Sequence, residues 1–251
     1  MHIDPEQIDA VIFDTDGVIT DTAAVHKAAW KELFDDFLRQ RADPEDRPFE
    51  PFTDEDYRLY VDGKPRYDGV RSFLESRGIE LPEGDPSDPP GDETVQALGN
   101  RKNAGFREAL ERDGAEAFAG TVDLIHRLRD AGIATGVISA SRNCKAVLDA
   151  AGVSDLFDTR VDGNDAEELG FPGKPDPAVF EVAAERLEVA VDRAVVVEDA
   201  LAGVEAGHRG SFALVIGVDR IGHAEDLLEH GADVVVSDLG EVTVGSEGEP
   251  R

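Results

Sequence analysis

Positive charge, cysteine and long apolar runs are all scarce in this chain. Its 251 residues carry 25 Lys and Arg against 55 Asp and Glu, a formal net charge of −30. Nucleic acid and anionic lipid are bound mainly through basic surface, so neither is expected as a partner. The single cysteine, Cys144, can close no internal disulfide and has no Cys or His at zinc-ligand spacing, which removes a thiolate-bound structural metal. It reads as a small buried residue without chemistry. No apolar run approaches the roughly 18 residues of a membrane span, and the start Met1-His2-Ile3-Asp4-Pro5 lacks the basic-then-apolar layout of a signal peptide. The expectation is a cytoplasmic protein, a monomer or at most a weak dimer.

What the chain does have is enough apolar residue, 41%, to bury a core, and a length suited to one large domain or to a core with a smaller insertion. Ile8 to Phe13 is a short apolar run that stops at Asp14-Thr15-Asp16-Gly17, the pattern of a buried parallel strand delivering polar groups at its carboxyl end. From Thr22 to about Leu38 the apolar residues recur at helical spacing. Arg41 to Pro51 reads as loop, 56–60 and 70–74 as short helices, 81–91 as a mobile Pro- and Gly-rich loop, and 94–112 as a longer helix.

Beyond Gly120 the pattern alternates. Strands are expected at 133–139, 194–197, 212–216 and 233–236, and helices near 121–131, 143–151, 177–188, 200–208 and 224–229. The last ten residues or so read as a frayed tail. Strands separated by helices imply an α/β fold with a doubly wound parallel sheet, its core formed by 1–22 and 113–251, and an inserted all-helical cap at 23–112. In such folds ligands bind outside the carboxyl ends of the strands, where the strand order reverses.

Those ends carry Asp14 and Asp16, then Ser139, then Glu198 and Asp199, with Lys174 supplied by the loop Gly-Lys-Pro-Asp-Pro. Four converging carboxylates repel one another unless a divalent cation joins them, and an all-oxygen set suits Mg²⁺. A phosphate completes the charge balance, held by Mg²⁺, Lys174, Ser139 and backbone N–H groups at a helix start. With phosphate and metal given, Asp14 is cast as nucleophile, forming an aspartyl-phosphate, and Asp16 as general acid and base. Taken singly, each residue also has a plainer reading. Asp14 and Asp16 suit an Asx-turn, while Ser139 and the Glu198-Asp199 pair suit helix caps.

The four segments FDTDGVITDT (13–22), VISAS (137–141), GKPDP (173–177) and VEDALAGVEAG (197–207) resemble, in order, the four motifs of the haloacid dehalogenase superfamily. The likeness spans nearly the whole chain and implies a Rossmann-like core with a cap. It also implies Mg²⁺ held by Asp14, the Asp16 carbonyl and Asp199, with Glu198 close by.

TDTAAVHKAAWK (20–31) is further similar to the cap entry of the β-phosphoglucomutase branch. That resemblance casts His26, Arg66 and Lys102 as substrate-binding residues of the cap, and Ser141, Arg142 and Asn143 as the grip on a distal phosphate. Arg142 stands where the branch has lysine, and Pro65 where it has a smaller residue. His26 and Trp30 also share a helix face, which suits plain packing. The activity implied is a phosphomutase acting on a phosphorylated sugar. A sugar-phosphate phosphatase is the alternative, and a non-catalytic Mg²⁺-binding regulatory module a third reading.

Overall fold

The computed structural model describes residues 1–43 and 48–245. In chain order the elements are β1 (His2–Ile3), β2 (Ala10–Asp14), α1 (Ala23–Arg41), α2 (Asp54–Asp56), α3 (Arg66–Ser76) and α4 (Val95–Asp113). There follow α5 (Ala119–Asp130), β3 (Ala134–Ile138), α6 (Cys144–Ala150), β4 (Thr159–Val161), α7 (Gly163–Leu169), α8 (Ala178–Arg186), β5 (Ala194–Glu198) and α9 (Leu201–Arg209). β6 (Leu214–Val218), α10 (Ala224–Glu229), β7 (Val234–Val236) and β8 (Thr243–Val244) complete the chain. None of the helices among the described residues is long and apolar enough to cross a membrane.

Two compact units result: Met1–Thr22 with Ala115–Arg251, and Ala23–Gly114. The first is an α/β unit. Six strands pair in parallel in the order β4-β3-β2-β5-β6-β7, so the chain winds one way from β2 through β3 to β4 and the other way from β5 to β7. The order reverses at β2, between β3 and β5, and the carboxyl end of β2 is the place where such sheets bind ligands.

Alternation of side chains across the pleat splits the core in two. Val11, Phe13, Val137, Val195, Val197 and Ile216 pack on one face with α5 and α6 residues such as Leu124 and Leu148. Ala10, Ile12, Ile138, Ala194, Val196 and Val215 pack on the other with Phe180, Ala183 and Val204 of α8 and α9. Because both faces are covered, β2 and β5 are apolar throughout up to their terminal acids.

The second unit is helical. Its core is an aromatic cluster around Phe34, whose ring centroid lies 5.2 Å from Trp30, 5.2 Å from Phe52 and 4.1 Å from Phe73. Trp30, which shares a helix face with His26, is thus part of the packing.

Several local expectations change. β4 and α7 lie in the stretch between the helices expected at 143–151 and 177–188, where the sequence pattern marks no element. β6 begins two residues later than the expected 212, because Phe212 turns into the core against Phe180, 6.0 Å away between centroids. The tail is not frayed up to Gly245: β8 pairs in parallel with β1, His2 opposite Thr243 and Ile3 opposite Val244. The rest of the expected tail, 246–251, lies outside the described residues, as does 44–47 of the expected loop at 41–51.

Segment 81–91 has no helix or strand but is tied down. Arg71 Nε donates to Glu83 Oε2 at 3.0 Å and Gln96 Nε2 to Glu83 Oε1 at 3.1 Å, while Asn100 Nδ2 donates to the Pro86 and Asp88 carbonyls.

Candidate active site

β2 ends on Asp14, whose Cα pairs with Ile138 of β3, and the next residues form a tight turn. Ile19 and Thr20 both donate their N–H to the Thr15 carbonyl, and Gly17 donates to the Thr20 carbonyl at 2.8 Å. Gly17 sits at φ +85°, a region glycine reaches without strain. A Cβ there would also lie 1.8 Å from Asp199 Oδ2. Only glycine lets the turn approach that carboxylate.

The turn aims the acids. Asp14 is buried, accepts the Asp16 N–H on Oδ2 at 2.9 Å and accepts Lys174 Nζ on Oδ1 at 2.5 Å. Lys174, also buried, donates to Glu198 Oε1 as well. The second Glu198 oxygen accepts the N–H groups of Asp199 and Ala200, each at 2.9 Å. Glu198 therefore does cap the start of the chain segment leading into α9, and at the same time it anchors Lys174. The Thr22 hydroxyl donates to Asp16 Oδ1.

Burial pushes the Asp14 carboxyl well above its ordinary range. Lys174 opposes that push, and Glu198 and Asp16 add repulsion to it. Burial would pull the Lys174 ammonium down, but Asp14 and Glu198 together outweigh it and raise its pKa. Burial also pushes the Cys144 thiol up, so Cys144 is held as a thiol, 3.4 Å from the Thr15 hydroxyl.

Asp14, Glu198 and Asp199 each offer a carboxylate oxygen, and these oxygens lie within 4.8 Å of one another. Asp16 stands next to them on the same turn. One buried ammonium cannot balance so many acids, and the donor set is all oxygen, so the residues present fit a hard divalent cation.

Ser139 follows β3, is buried, and accepts the Ser141 N–H at 3.0 Å. The Ser141 hydroxyl in turn accepts the Asn143 N–H at 3.1 Å. These two turns lead into α6. Arg142 pairs with Glu167 of α7 at 2.9 Å, and Asn164 Nδ2 donates to the Arg142 carbonyl at 3.1 Å. Asp14, Asp16, Ser139, Lys174, Glu198 and Asp199 are thus all delivered at the carboxyl edge of the sheet, with 141–143 continuing from Ser139.

In the helical unit, Lys102 of α4 is buried, with Nζ 2.5 Å from His26 Nδ1 and about equally distant from the Trp30 and Phe106 rings, 5.1 and 5.0 Å. Arg66 opens α3, lies over the Tyr67 ring and donates to the Gly99 carbonyl at 3.5 Å, one turn before Lys102. His26 and Lys102 are therefore brought together, and Arg66 reaches the same helix.

Sequence reasoning passed over the hydroxyls of Thr15, Thr20 and Thr22. Thr15 donates to the Ile138 carbonyl at 2.8 Å, and Thr20 and Thr22 bond each other at 2.7 Å. Their signal was present: three threonines inside one short acidic turn, all fully buried. Arg220 and His223, which touch the same turn and the Asp199 backbone, carried no such signal.

Known proteins resemble this chain in sequence and in fold. A sequence model of the haloacid dehalogenase-like hydrolases matches residues 8–210. A β-phosphoglucomutase of Mycobacterium bovis is 48% identical over 95% of this chain and 92% of its own length. The Bacillus subtilis β-phosphoglucomutase is 33% identical over 94% and 92%. The crystal structure of a Clostridium difficile β-phosphoglucomutase superposes with a TM-score of 0.73 at 26% identity, covering 93% of this chain and 92% of that one. The fold expectation holds: this is the Rossmann-like parallel sheet of that family with its helical insertion. The chain belongs to the haloacid dehalogenase-like hydrolase family, as an enzyme of its phosphomutase or phosphatase type.

Proposed function

We propose that this enzyme is a Mg²⁺-dependent β-phosphoglucomutase, converting β-glucose 1-phosphate to glucose 6-phosphate through an aspartyl-phosphate on Asp14. The observation that carries the reading is the Asp14 carboxylate at the sheet's switch point, fixed by Lys174 and the Asp16 N–H, in a chain 48% identical to a named β-phosphoglucomutase.

The enzyme works as its aspartyl-phosphate: the 6-hydroxyl of bound β-glucose 1-phosphate gives its proton to Asp16 and takes the phosphoryl group, the Asp14–phosphorus bond breaks, and the resulting 1,6-bisphosphate turns end for end. In the return step Asp14 attacks the phosphorus on the C1 oxygen, the bond from phosphorus to that oxygen breaks, Asp16 hands the oxygen its proton, and glucose 6-phosphate leaves the re-formed aspartyl-phosphate. The Thr22 hydroxyl holds the Asp16 carboxyl in one orientation for both transfers. Lys174 and Ser139 bind the transferring phosphate, and Glu198 fixes Lys174 by accepting from it. Asp14, the Asp16 carbonyl and Asp199 would hold Mg²⁺, with Glu198 behind them. When bound, Mg²⁺ neutralises phosphate charge and favours ionised Asp14. We assign Ser141, Arg142 and Asn143 to the distal phosphate, and His26, Arg66 and Lys102 of the helical unit to the sugar phosphate.

The test is phosphorus NMR of β-glucose 1-phosphate with Mg²⁺ and a glucose 1,6-bisphosphate primer. Glucose 6-phosphate is the expected product, and Asp14→Asn abolishes it without unfolding the protein. Release of inorganic phosphate with no glucose 6-phosphate, primed or not, turns the assignment to a sugar-phosphate phosphatase.

A further inference from the structure

The sheet alone does not tie the two acidic segments together. β2 pairs with β5 only as far as Phe13 opposite Val197, and beyond that register the Asp14–Gly17 turn and the Glu198–Asp199 segment run on as separate backbones. Asp14 itself pairs with β3, on the other side. Yet Gly17 and Asp199 are in contact, as the 1.8 Å approach of a Cβ at Gly17 to Asp199 Oδ2 requires.

The loop after β6 supplies the tie. Arg220 Nε donates to the Gly17 carbonyl at 2.9 Å, its guanidinium lies 3.8 Å from the centroid of the Phe118 ring, and Nη1 reaches the Ser237 carbonyl at 3.3 Å. Asp238 adds a carboxylate oxygen 3.7 Å from the same nitrogen. Three residues on, His223 Nε2 lies 3.3 Å from the Asp199 carbonyl oxygen. The loop is itself braced, because Asp219 Oδ1 accepts the N–H groups of Ile221, Gly222 and His223 at 3.1, 2.7 and 3.0 Å. One short braced segment thus grips both backbones that deliver the metal-binding acids.

We infer that Arg220 and His223 are positioning residues for the cation site. By fixing the Gly17 and Asp199 carbonyls they keep the carboxylates of Asp14 and Asp199 at the separation a divalent ion needs. The inference rests on the Mg²⁺ reading above but not on the identity of the sugar. Outer contacts of this kind set ligand orientation, and their loss typically weakens metal binding by about 10- to 100-fold.

The two roles open to Arg220 predict opposite signs. If it acts only as a nearby positive charge, removing it tightens Mg²⁺ binding, because a like charge is gone. If it positions, removing it weakens binding. Mg²⁺ titrated calorimetrically into substrate-free wild type, Arg220→Met, Arg220→Lys and His223→Gln, with melting temperatures recorded in EDTA, separates them.

The expected result is a dissociation constant raised about tenfold or more in Arg220→Met. A smaller rise is expected in Arg220→Lys, which keeps the charge but not the planar stack on Phe118, and in His223→Gln. These rises exceed what the loss of stability in EDTA accounts for. Should Arg220→Met not fold, the same comparison is read from Arg220→Lys and His223→Gln. Unchanged or tighter Mg²⁺ binding in the folded variants overturns the positioning role alone. Absence of Mg²⁺ binding by the wild type overturns it together with the metal reading. Failure to convert β-glucose 1-phosphate, with these affinities as expected, touches only the assignment of the sugar.

Discussion

Replacing Lys174 by methionine removes the one ammonium that is buried between Asp14 and Glu198 while keeping most of its aliphatic stem. Its side chain is 1% exposed and those of its partners 9% and 0%, so solvent screens this group of charges very little. Removing one partner of a buried ion pair and leaving the other charge in place costs about 3–5 kcal/mol. For a chain of this size each kcal/mol moves the melting temperature by about 2–4 °C, so the variant should melt roughly 6–20 °C below wild type at pH 7 in EDTA. Packing contributes little to that figure, because methionine fills nearly the same volume beside Phe180.

The pH dependence carries a sign that a simple packing defect lacks. In the wild type the raised pKa of Lys174 contributes stability that is fully present below its ordinary value of 10.5 and is lost only as pH rises through the higher folded value. Asp14 has the same sign in a lower pH window. Its folded pKa lies well above 3.8, so its protonated form favours the fold at acid pH, and that share is lost as pH rises through the raised value. Without Lys174 that loss is larger, because the attraction opposing burial is gone. The gap between variant and wild type should therefore be smallest at acid pH and widen towards neutrality. Added Mg²⁺ should restore part of it. Equal melting temperatures at pH 7, or a gap that narrows as pH rises, would refute the account of Asp14, Lys174 and Glu198 as one buried charge cluster.

Two glycines of the helices should respond in opposite directions to alanine. At Gly203 a Cβ would meet Glu198 Oε1 at 1.8 Å, so Gly203→Ala must displace the carboxylate that anchors Lys174. It should cost about 1–3 kcal/mol by thermal melting and lower turnover with it. At Gly105 on α4 nothing lies within 4 Å of where the added methyl would stand, and Gly105→Ala should stabilise by about 0.5–1 kcal/mol in the same melts. In the loop 81–91, Arg71 holds the Glu83 carboxyl below its ordinary 4.5, so the contribution of Glu83 is present above pH 4.5 and lost as pH falls through the lower folded value. The pair is half exposed, so Glu83→Gln should cost under about 1 kcal/mol in urea unfolding at pH 7, and the two proteins should converge below pH 4.5.

The strands that carry the site were legible because they are buried on both faces. Ala10–Asp14 and Ala194–Glu198 are apolar runs that stop at acids, and a run of that kind has few other interpretations. β4 escaped because it is three residues long, Thr-Arg-Val, with a polar residue at its centre. β1 and β8 escaped for a different reason. Each has two residues, and the partner that makes it a strand lies at the opposite end of the chain, so no local pattern marks either. Composition misled at 81–91, where proline and glycine do exclude regular structure but say nothing of Arg71, Gln96 and Asn100, which bind the loop from elsewhere. Proline and glycine content reports backbone freedom in the unfolded chain, not the tertiary bonds that remove it.

The same distinction separates the part of the site that could be read from the part that could not. Asp14, Asp16, Lys174 and Asp199 stand in short segments whose chemistry is local: acids after an apolar run, or a lysine between glycine and proline. Arg220 and His223 lie in Asp-Arg-Ile-Gly-His, an ordinary polar loop whose one marked feature, the acceptance of three N–H groups by Asp219, is turn chemistry. What raises that loop above a connector is position. Strand order places β6 beside β5, so the residues that leave β6 emerge next to the Asp199 backbone and across from Gly17. A residue that acts on the reacting groups has to be of a certain type and announces itself by type. One that acts on their backbone needs only a donor at the right place, and that place is set by topology, which six short strands determine together and no one of them records.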